Sequence, residues 1–462
     1  MRHLFSLLIA AILFVSPNVL HAQASSGQES RSTLAALASK VKFYTLPNGL
    51  RVILYRRGDA PVFGAAVGVR VGGTDEQVGR TGISHMFEHM AFKGTDTVGT
   101  KDYAREQKLL AELETLVAQR GPDGKLASTQ QARWDEIMKE LNTLWNRSQF
   151  VSELEKRGAS DLNATTDKEM TRYFMNLPRS AFEFWCWMES ERLLHPVMRE
   201  FYQELEVVKE EKRMRYDDDP SGKLYETLLG VAYLSHPYRN PVIGYDADLR
   251  NLTATAVDQF RRTYYVPGNM AIAVVGDVNP ESDIKIIEKY FGRLPSAPLP
   301  PRPDVVEGPQ EGERSFTLQA NASPQIFIAY HKPQYPHADD APITLMLEIL
   351  AGKKTSPLYT ELVKKKRLVT DIGHDEAPGA AYPNLFVFYA SARSPHTNAE
   401  VLAAFDDVIK KFTSSKVSEE DLEVAKRAVA MDHLSHLKSN LALAQDFVTS
   451  ELLSNNWKAM LD

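Results

Sequence analysis

The chain has 462 residues, 43% of them hydrophobic and 25% charged, with a formal charge of −6. This is the composition of a globular protein too long for one ordinary core, so two domains are the natural division. The mild negative balance gives no reason to expect a nucleic-acid partner, and a single cysteine, Cys186, excludes an intramolecular disulfide. Cys186 stands among Phe182, Phe184, Trp185 and Trp187, as a buried structural thiol does. The basic run Lys364–Arg367 reads as a solvated helix face.

At the start of the chain, Arg2 and His3 precede an apolar run from Leu4 to Val15, Pro17 breaks it, and Ala22-Gln23-Ala24 offers small residues for cleavage. This pattern predicts a signal peptide over residues 1–24, with export and the periplasm as destination. The run is too short to span a bilayer comfortably, so no membrane span is expected after cleavage. Residues 25–41, opening on SSGQESRS, are predicted to be disordered.

Residues 42–295 read as a first domain. VKFYTLPNGLRVILY gives strands around a Pro-Asn-Gly turn, and PVFGAAVGVRVGG gives another. Gly79 and Gly82 then make a loop. Ile83, Met86, Phe87, Met90 and Ala91 mark a largely buried helix that Gly94 ends. An excursion follows over about 101–150. One amphipathic stripe runs through Leu109, Leu113 and Leu116, another through Ile137, Met138 and Leu141, and RGPDGKLAS is the turn between them. This predicts an inserted helical hairpin near the entrance to the site. The domain closes with the strand MAIAVVGDV and the helix ESDIKIIEKYFGRL.

Residues 296–312 are proline-rich and predict a linker. Residues 313–462 restart with the strand SPQIFIAYHKP, the helix APITLMLEILAG and the strand NLFVFYASARS, followed by helices. This second domain repeats the first in outline without a metal motif. It also lacks a counterpart of YYVPGNMAIAVVGDV, so it is expected to be incomplete.

The chemistry concentrates in His85-Met86-Phe87-Glu88-His89. Positions i, i+3 and i+4 of a helix share one face, so two imidazoles and a carboxylate can address a single ion. A buried helix rarely carries such a group unless something offsets its desolvation, and zinc does so. The order H-x-x-E-H inverts the commoner zinc-hydrolase arrangement. A catalytic zinc keeps three protein ligands, so a third is needed. Glu204, Val207, Val208 and Glu211 form one helical stripe, and two carboxylates on an apolar stripe are unexpected. Glu206 and Glu210 fall off it and read as solvated.

HMFEHMAFKGT, LNATTDKEMTRYF and ELEVVKEEKRM, in this order, resemble the insulinase/pitrilysin family of zinc peptidases, in particular its short bacterial and mitochondrial-processing-type members. The resemblance implies an α+β fold of two related domains, each an antiparallel sheet packed by helices. It implies one Zn2+ per chain held by His85, His89 and Glu211, with Glu88 as general base and Glu204 orienting the site from behind. Asn163, Ala164 and Thr165 match the segment that pairs with the substrate backbone as an added strand; taken alone, Asn163 also suits a turn. The expected activity is zinc-dependent endopeptidase cleavage of peptides or unfolded segments, the alternative being a non-catalytic core or assembly subunit of the same fold. Many family members place an Arg and a Tyr in the second domain, where this chain has Val363 and Thr370. That departure suggests a homologous subunit without zinc as partner in a heterodimer, or otherwise a homodimer.

Overall fold

The computed structural model of the protein describes residues 34–58, 60–121 and 124–461. The predicted signal peptide and residues 25–33 lie outside the described residues. Residues 34–40, expected to be disordered, instead form a short helix, α1. The segment reads LAALASK, and the helix preference of Ala and Leu accounts for the difference.

Among the described residues, nine strands form two sheets. The first contains β1 (Val41–Thr45), β2 (Arg51–Arg56), β3 (Val62–Val69), β4 (Ser160–Thr166), β5 (Thr171–Pro178) and β6 (Met270–Gly276), in the order β1-β2-β6-β3-β5-β4. The second contains β7 (Gln325–Lys332), β8 (Val369–Ala377) and β9 (Asn384–Ala392), in the order β7-β9-β8. In the first half the helices are α2 (Ile83–Met90), α3 (Tyr103–Val117), α4 (Ser128–Leu144), α5 (Gln149–Glu155), α6 (Phe182–Leu194), α7 (Phe201–Lys212), α8 (Pro220–Ala232), α9 (Asp246–Asn251), α10 (Ala254–Tyr264) and α11 (Pro280–Phe291). The second half adds α12 (Asp340–Ala351), α13 (Asn398–Thr413), α14 (Glu419–His436) and α15 (Asn440–Ser454). Among the described residues, no helix is long and apolar enough to cross a membrane.

β6 is buried along its whole length between parallel β2 and antiparallel β3, as its unbroken apolar run MAIAVVG requires. Strand side chains alternate between faces, and β3 shows what each face meets. Phe63, Ala65, Val67 and Val69 enter the main core with Phe87 of α2, Trp185 of α6, Val208 of α7 and Phe291 of α11. Gly64 and Gly68 point the other way, onto α15 from the far end of the chain. A Cβ at Gly64 would lie 2.5 Å from the backbone N of Leu441, and one at Gly68 would lie 2.2 Å from Val448. Tyr55 of β2 meets Phe447 of α15 edge to face.

The second sheet is covered in a reciprocal way. One face packs on α12 and α13 through Leu347, Phe388, Val401 and Phe405. The other face, with Ala377, Leu385 and Val387, packs on Leu229 and Ala232 of α8 and on the following Tyr233 and Tyr238, all from the first half. The halves therefore exchange helices. They also meet at the β8–β9 turn. There Tyr238 donates its hydroxyl hydrogen to Glu169, Ala380 N donates to the same carboxylate at 3.2 Å, and Tyr382 N donates to the Tyr238 oxygen at 3.2 Å.

Helices α3 and α4 are antiparallel, as the ion pairs Arg105–Glu140 (2.5 Å) and Arg133–Glu112 (2.7 Å) and the bond from Lys101 N to Leu144 O (2.9 Å) require. They hold a small core of their own, Leu109, Leu113, Leu116, Ile137, Leu141 and Trp145. The chain leaves and returns at one point, where Thr100 bridges Trp145 and Asn146 N donates to Gly99 O. Residues 296–312 have no regular structure, but Arg302 ties them to the first half through Asp75 and Asn269.

Candidate metal centre

Gly82 opens α2 with φ +87°, and a Cβ there would stand 2.5 Å from Ile243 O, so no other residue fits. The buried Glu76 carboxylate accepts from Gly82 N (2.8 Å) and Ser84 N (2.9 Å), two of the helix's free N–H groups. α2 is thereby fixed against the core by Met86, Phe87 and Met90, and its polar stripe turns toward α7 and the end of β4.

On that stripe His85 Nε2 lies 3.8 Å from Glu211 Oε1, and His89 Nε2 lies 3.4 Å from Glu211 Oε2. Donor atoms of the three residues all fall within 4.8 Å of one another. Ligands about 2.1 Å from a tetrahedral zinc stand about 3.4 Å apart, so modest closure brings this set to zinc geometry. Two imidazole nitrogens and one carboxylate are also the donor chemistry of a catalytic zinc site with a position left open. The residues fit the ion.

The electrostatics follow from burial and neighbours. Burial, reinforced by the charge of His89, pushes the His85 pKa down to about 4, which leaves a neutral imidazole able to donate a lone pair. Burial also pulls His89 down, but the hydrogen bonds and charges of Glu204 and Glu211 outweigh it and lift the group to about 9. Glu211 is held below its ordinary value, its burial outweighed by His89, His85 and Arg215. Two carboxylates facing one imidazole are a place where a cation is held.

Glu204 Oε1 is 2.9 Å from His89 Nδ1, which fixes the ring and leaves Nε2 for a metal. Glu88 is raised above its ordinary value by burial and accepts a 2.6 Å hydrogen bond from Thr166 Oγ1. Asn163, Ala164 and Thr165 lie on β4, opposite Phe174, Tyr173 and Arg172 of β5. β4 is an edge strand, with no strand beyond it among the described residues. Asn163 Oδ1 accepts from Ala164 N at 2.9 Å.

His85, Glu88, His89, Glu204 and Glu211 thus come together, and β4 reaches them through Thr166 at its end. Val363 instead packs beside the second core, and Thr370 is exposed on β8. Three neighbours were missed from the sequence: Thr166, beside the recognised NAT; Arg215, 3.0 Å from Glu211; and Lys93, 2.5 Å from Glu204. Only the Lys of FKGT, four positions after His89, could have been found by helical spacing.

Two family models match the chain, "Insulinase (Peptidase family M16)" over residues 51–115 and "Peptidase M16 inactive domain" over residues 251–429. The chain belongs to the insulinase (M16) family of peptidases, and it has that family's two-domain α+β fold. It is 28% identical to the zinc protease PqqE of Helicobacter pylori, over 90% of this chain and 84% of that one. It is 24% identical to an uncharacterized zinc protease of Mycobacterium leprae, over 85% and 78%. Among solved structures, a protease from Helicobacter pylori superposes with a TM-score of 0.76 at 24% identity, covering 91% of this chain and 92% of that one. An M16 inactive domain from Pseudomonas fluorescens gives 0.68 at 16% identity, covering 91% and 89%. Residues 163–165, Glu204 and Glu211 fall between the two matched segments, so their place in the site rests on geometry.

Proposed function

We propose that the chain is a zinc endopeptidase subunit that cleaves extended peptides or unfolded segments. The observation that carries this reading is the convergence of His85, His89 and Glu211 beside Glu88, near an edge strand, β4, whose outer side is open among the described residues. One zinc ion, held by these three residues, would lower the pKa of a water to about 7 and polarise a substrate carbonyl. Glu88 takes the proton of the attacking water on its carboxylate and passes it to the leaving amine. Its raised pKa suits that exchange, and Thr166 holds Oε2 by a hydrogen bond. The free edge of β4 at Asn163–Thr165 binds the peptide through main-chain hydrogen bonds, which serves any sequence in extended form. Glu204 keeps His89 in the orientation and tautomer that the ion needs.

The second half supplies no Arg at 363 and no Tyr at 370. Losing one donor that acts on developing charge costs about 10²–10³ in rate, so the chain alone is weakly active. A homologous subunit without zinc completes the site, and the signal-like pattern of residues 1–24 supports export of the pair to the periplasm. The alternative, a non-catalytic assembly subunit, gives the polar stripe of α2 no task.

Metal analysis of the purified chain, with hydrolysis of a quenched peptide before and after adding a homologous subunit from the same organism, tests the reading. One zinc per chain and a large rise in turnover on mixing are expected. A chain that binds no zinc would refute it. Full turnover by a monomer, unchanged by any partner, would refute the need for a second subunit.

A further inference from the structure

The excursion that contains α3 and α4 lies outside the residues just assigned to chemistry, yet two separate runs of contact lead from it to the loop after α2, and both end on Lys93. The first is deeply buried. Glu106 of α3 has no exposed surface and accepts from Arg199 Nε (2.6 Å), Arg199 Nη2 (2.9 Å) and Trp145 Nε1 (2.8 Å). Arg199 spends its other hydrogens on the loop that leaves α2, donating to the carbonyls of Lys93 (2.7 Å), Val98 (3.2 Å) and Thr95 (3.0 Å). A guanidinium so buried must be paired, and removing either partner leaves a charge without compensation. The backbone at Lys93 is therefore set by a carboxylate that belongs to the helical pair.

The second run passes through side chains. Arg147, where the excursion returns, places Nε 2.6 Å from Glu200 Oε1, an ion pair out of line for a hydrogen bond. Glu200 Oε2 accepts from Lys93 Nζ at 3.2 Å, and the same ammonium lies 2.5 Å from Glu204 Oε2. Glu204 Oε1, in turn, faces His89 Nδ1. Glu200 and Glu204 are four positions apart at the start of α7, where two like charges repel. Lys93 neutralises that repulsion. Glu200 is moreover held at φ +60°, a conformation that persists only where the surroundings impose it.

We infer that Lys93 is a positioning residue for the metal ligand His89, and that the helical pair sets Lys93, so the excursion governs how tightly the site holds zinc. The inference rests on the zinc reading given above and extends it to residues that touch neither ion nor substrate.

The test is zinc affinity of the full-length protein, measured by competition with a chelating dye, with circular dichroism of the metal-free form as a check on folding. Lys93→Met should raise the apparent Kd for zinc about tenfold to a hundredfold, the usual cost of losing an outer-shell partner. Lys93→Arg should recover most of this. Arg147→Met, at the far end of the second run, should raise the Kd about threefold, a smaller effect because it acts through two carboxylates. Lys93→Met combined with Glu204→Gln should bind zinc no more weakly than Glu204→Gln alone, since residues acting in series are not additive. Lys426→Met, on a remote surface, is the control. A folded Lys93→Met protein that binds zinc within twofold of the wild type would overturn the inference while leaving the zinc reading intact. An unchanged Arg147→Met would remove the run through Arg147 and Glu200 from it. If Lys93→Met does not fold, Arg147→Met, which is more than half exposed, carries the test. Wild-type protein that takes up no zinc would overturn both readings.

Discussion

The helix that follows β3 and the helix that follows β7 occupy matching places in the two halves, yet they carry opposite loads. α2 turns His85, Glu88 and His89 toward α7, whereas α12 turns Ile343, Met346, Leu347 and Leu350 into an apolar core. The scaffold accepts either stripe. Counter-charges decide which one is tolerated: in the first half Glu204, Glu211, Lys93 and Thr166 converge on the polar groups and offset their desolvation. Around α12 the described residues place Lys332 with Asp340 and Glu376 at the helix's start and Lys353 with Glu348 near its end, away from the apolar stripe. Sheet edges differ too. β3 is paired on both sides, while β7 pairs only with β9 among the described residues. A metal site in this architecture is therefore a property of what surrounds the helix as much as of the motif on it.

Removing the chemistry from the first half while keeping its zinc ligands tests this comparison most severely. Glu88→Gln should lower peptidase turnover by about 10²–10⁴ with zinc content unchanged, because it deletes a proton carrier and no ligand. Retained turnover in peptide assays would break the assignment. Next in size is Glu211→Gln. It replaces a charged donor by an amide and should weaken zinc by at least about tenfold in dye competition, leaving α2 in an unpaired state that α12 never faces. Undiminished zinc binding would remove Glu211 from the ligand set.

The exchanged helices give a third test. Gly64→Val should destabilise the protein by about 1–3 kcal/mol in urea titrations, since the new side chain meets the backbone of α15. Gly230→Ala in α8 meets nothing within 4 Å and should stabilise by up to about 1 kcal/mol. Equal effects at both positions would mean that α15 is loosely seated.

The smallest effect concerns the joint at Glu169. Burial, then the nearby charge of Asp167, raises this carboxyl to about 7. The folded state thus holds a proton that the unfolded chain releases near pH 4.5. Its contribution is fully present below that pH and is lost as pH rises to about 7. Glu169→Gln keeps the acceptor for Tyr238 and Ala380 without the titration. It should melt about 2–4 °C higher than the wild type at pH 8 and equally at pH 4. A constant difference across that range would exclude Glu169 as the source.

Much of the fold class was legible because its signals are local. The Pro-Asn-Gly turn, the glycines around α2 and the leucine stripes of α3 and α4 each lie within one turn or helix. His85, Glu88 and His89 were legible for the same reason, since helical spacing alone puts them on one stripe. What sequence could not show is contact across long separations. Nothing in NLALAQDFVTSELLS says that it fills the back of β3, because the glycines that admit it lie at 64 and 68. Arg199 and Glu106 each look like surface residues, and only their mutual pairing buries them. Thr166 went unread because a threonine at a strand end has many uses. Residues 34–40 were misread because a polar neighbourhood hid a short run of good helix formers.

The exchange of α8 and α15 has a consequence for how the molecule is made. Each sheet keeps one face bare until a helix from the other half arrives, so neither half can complete its core by itself. β3 must wait for residues nearly 400 positions later, a contact whose loop-closure entropy slows assembly. A chain severed in the segment 296–312 would yield two sticky fragments when each is expressed alone. Expressed together, the fragments should find each other and restore one folded particle, as a split reporter does.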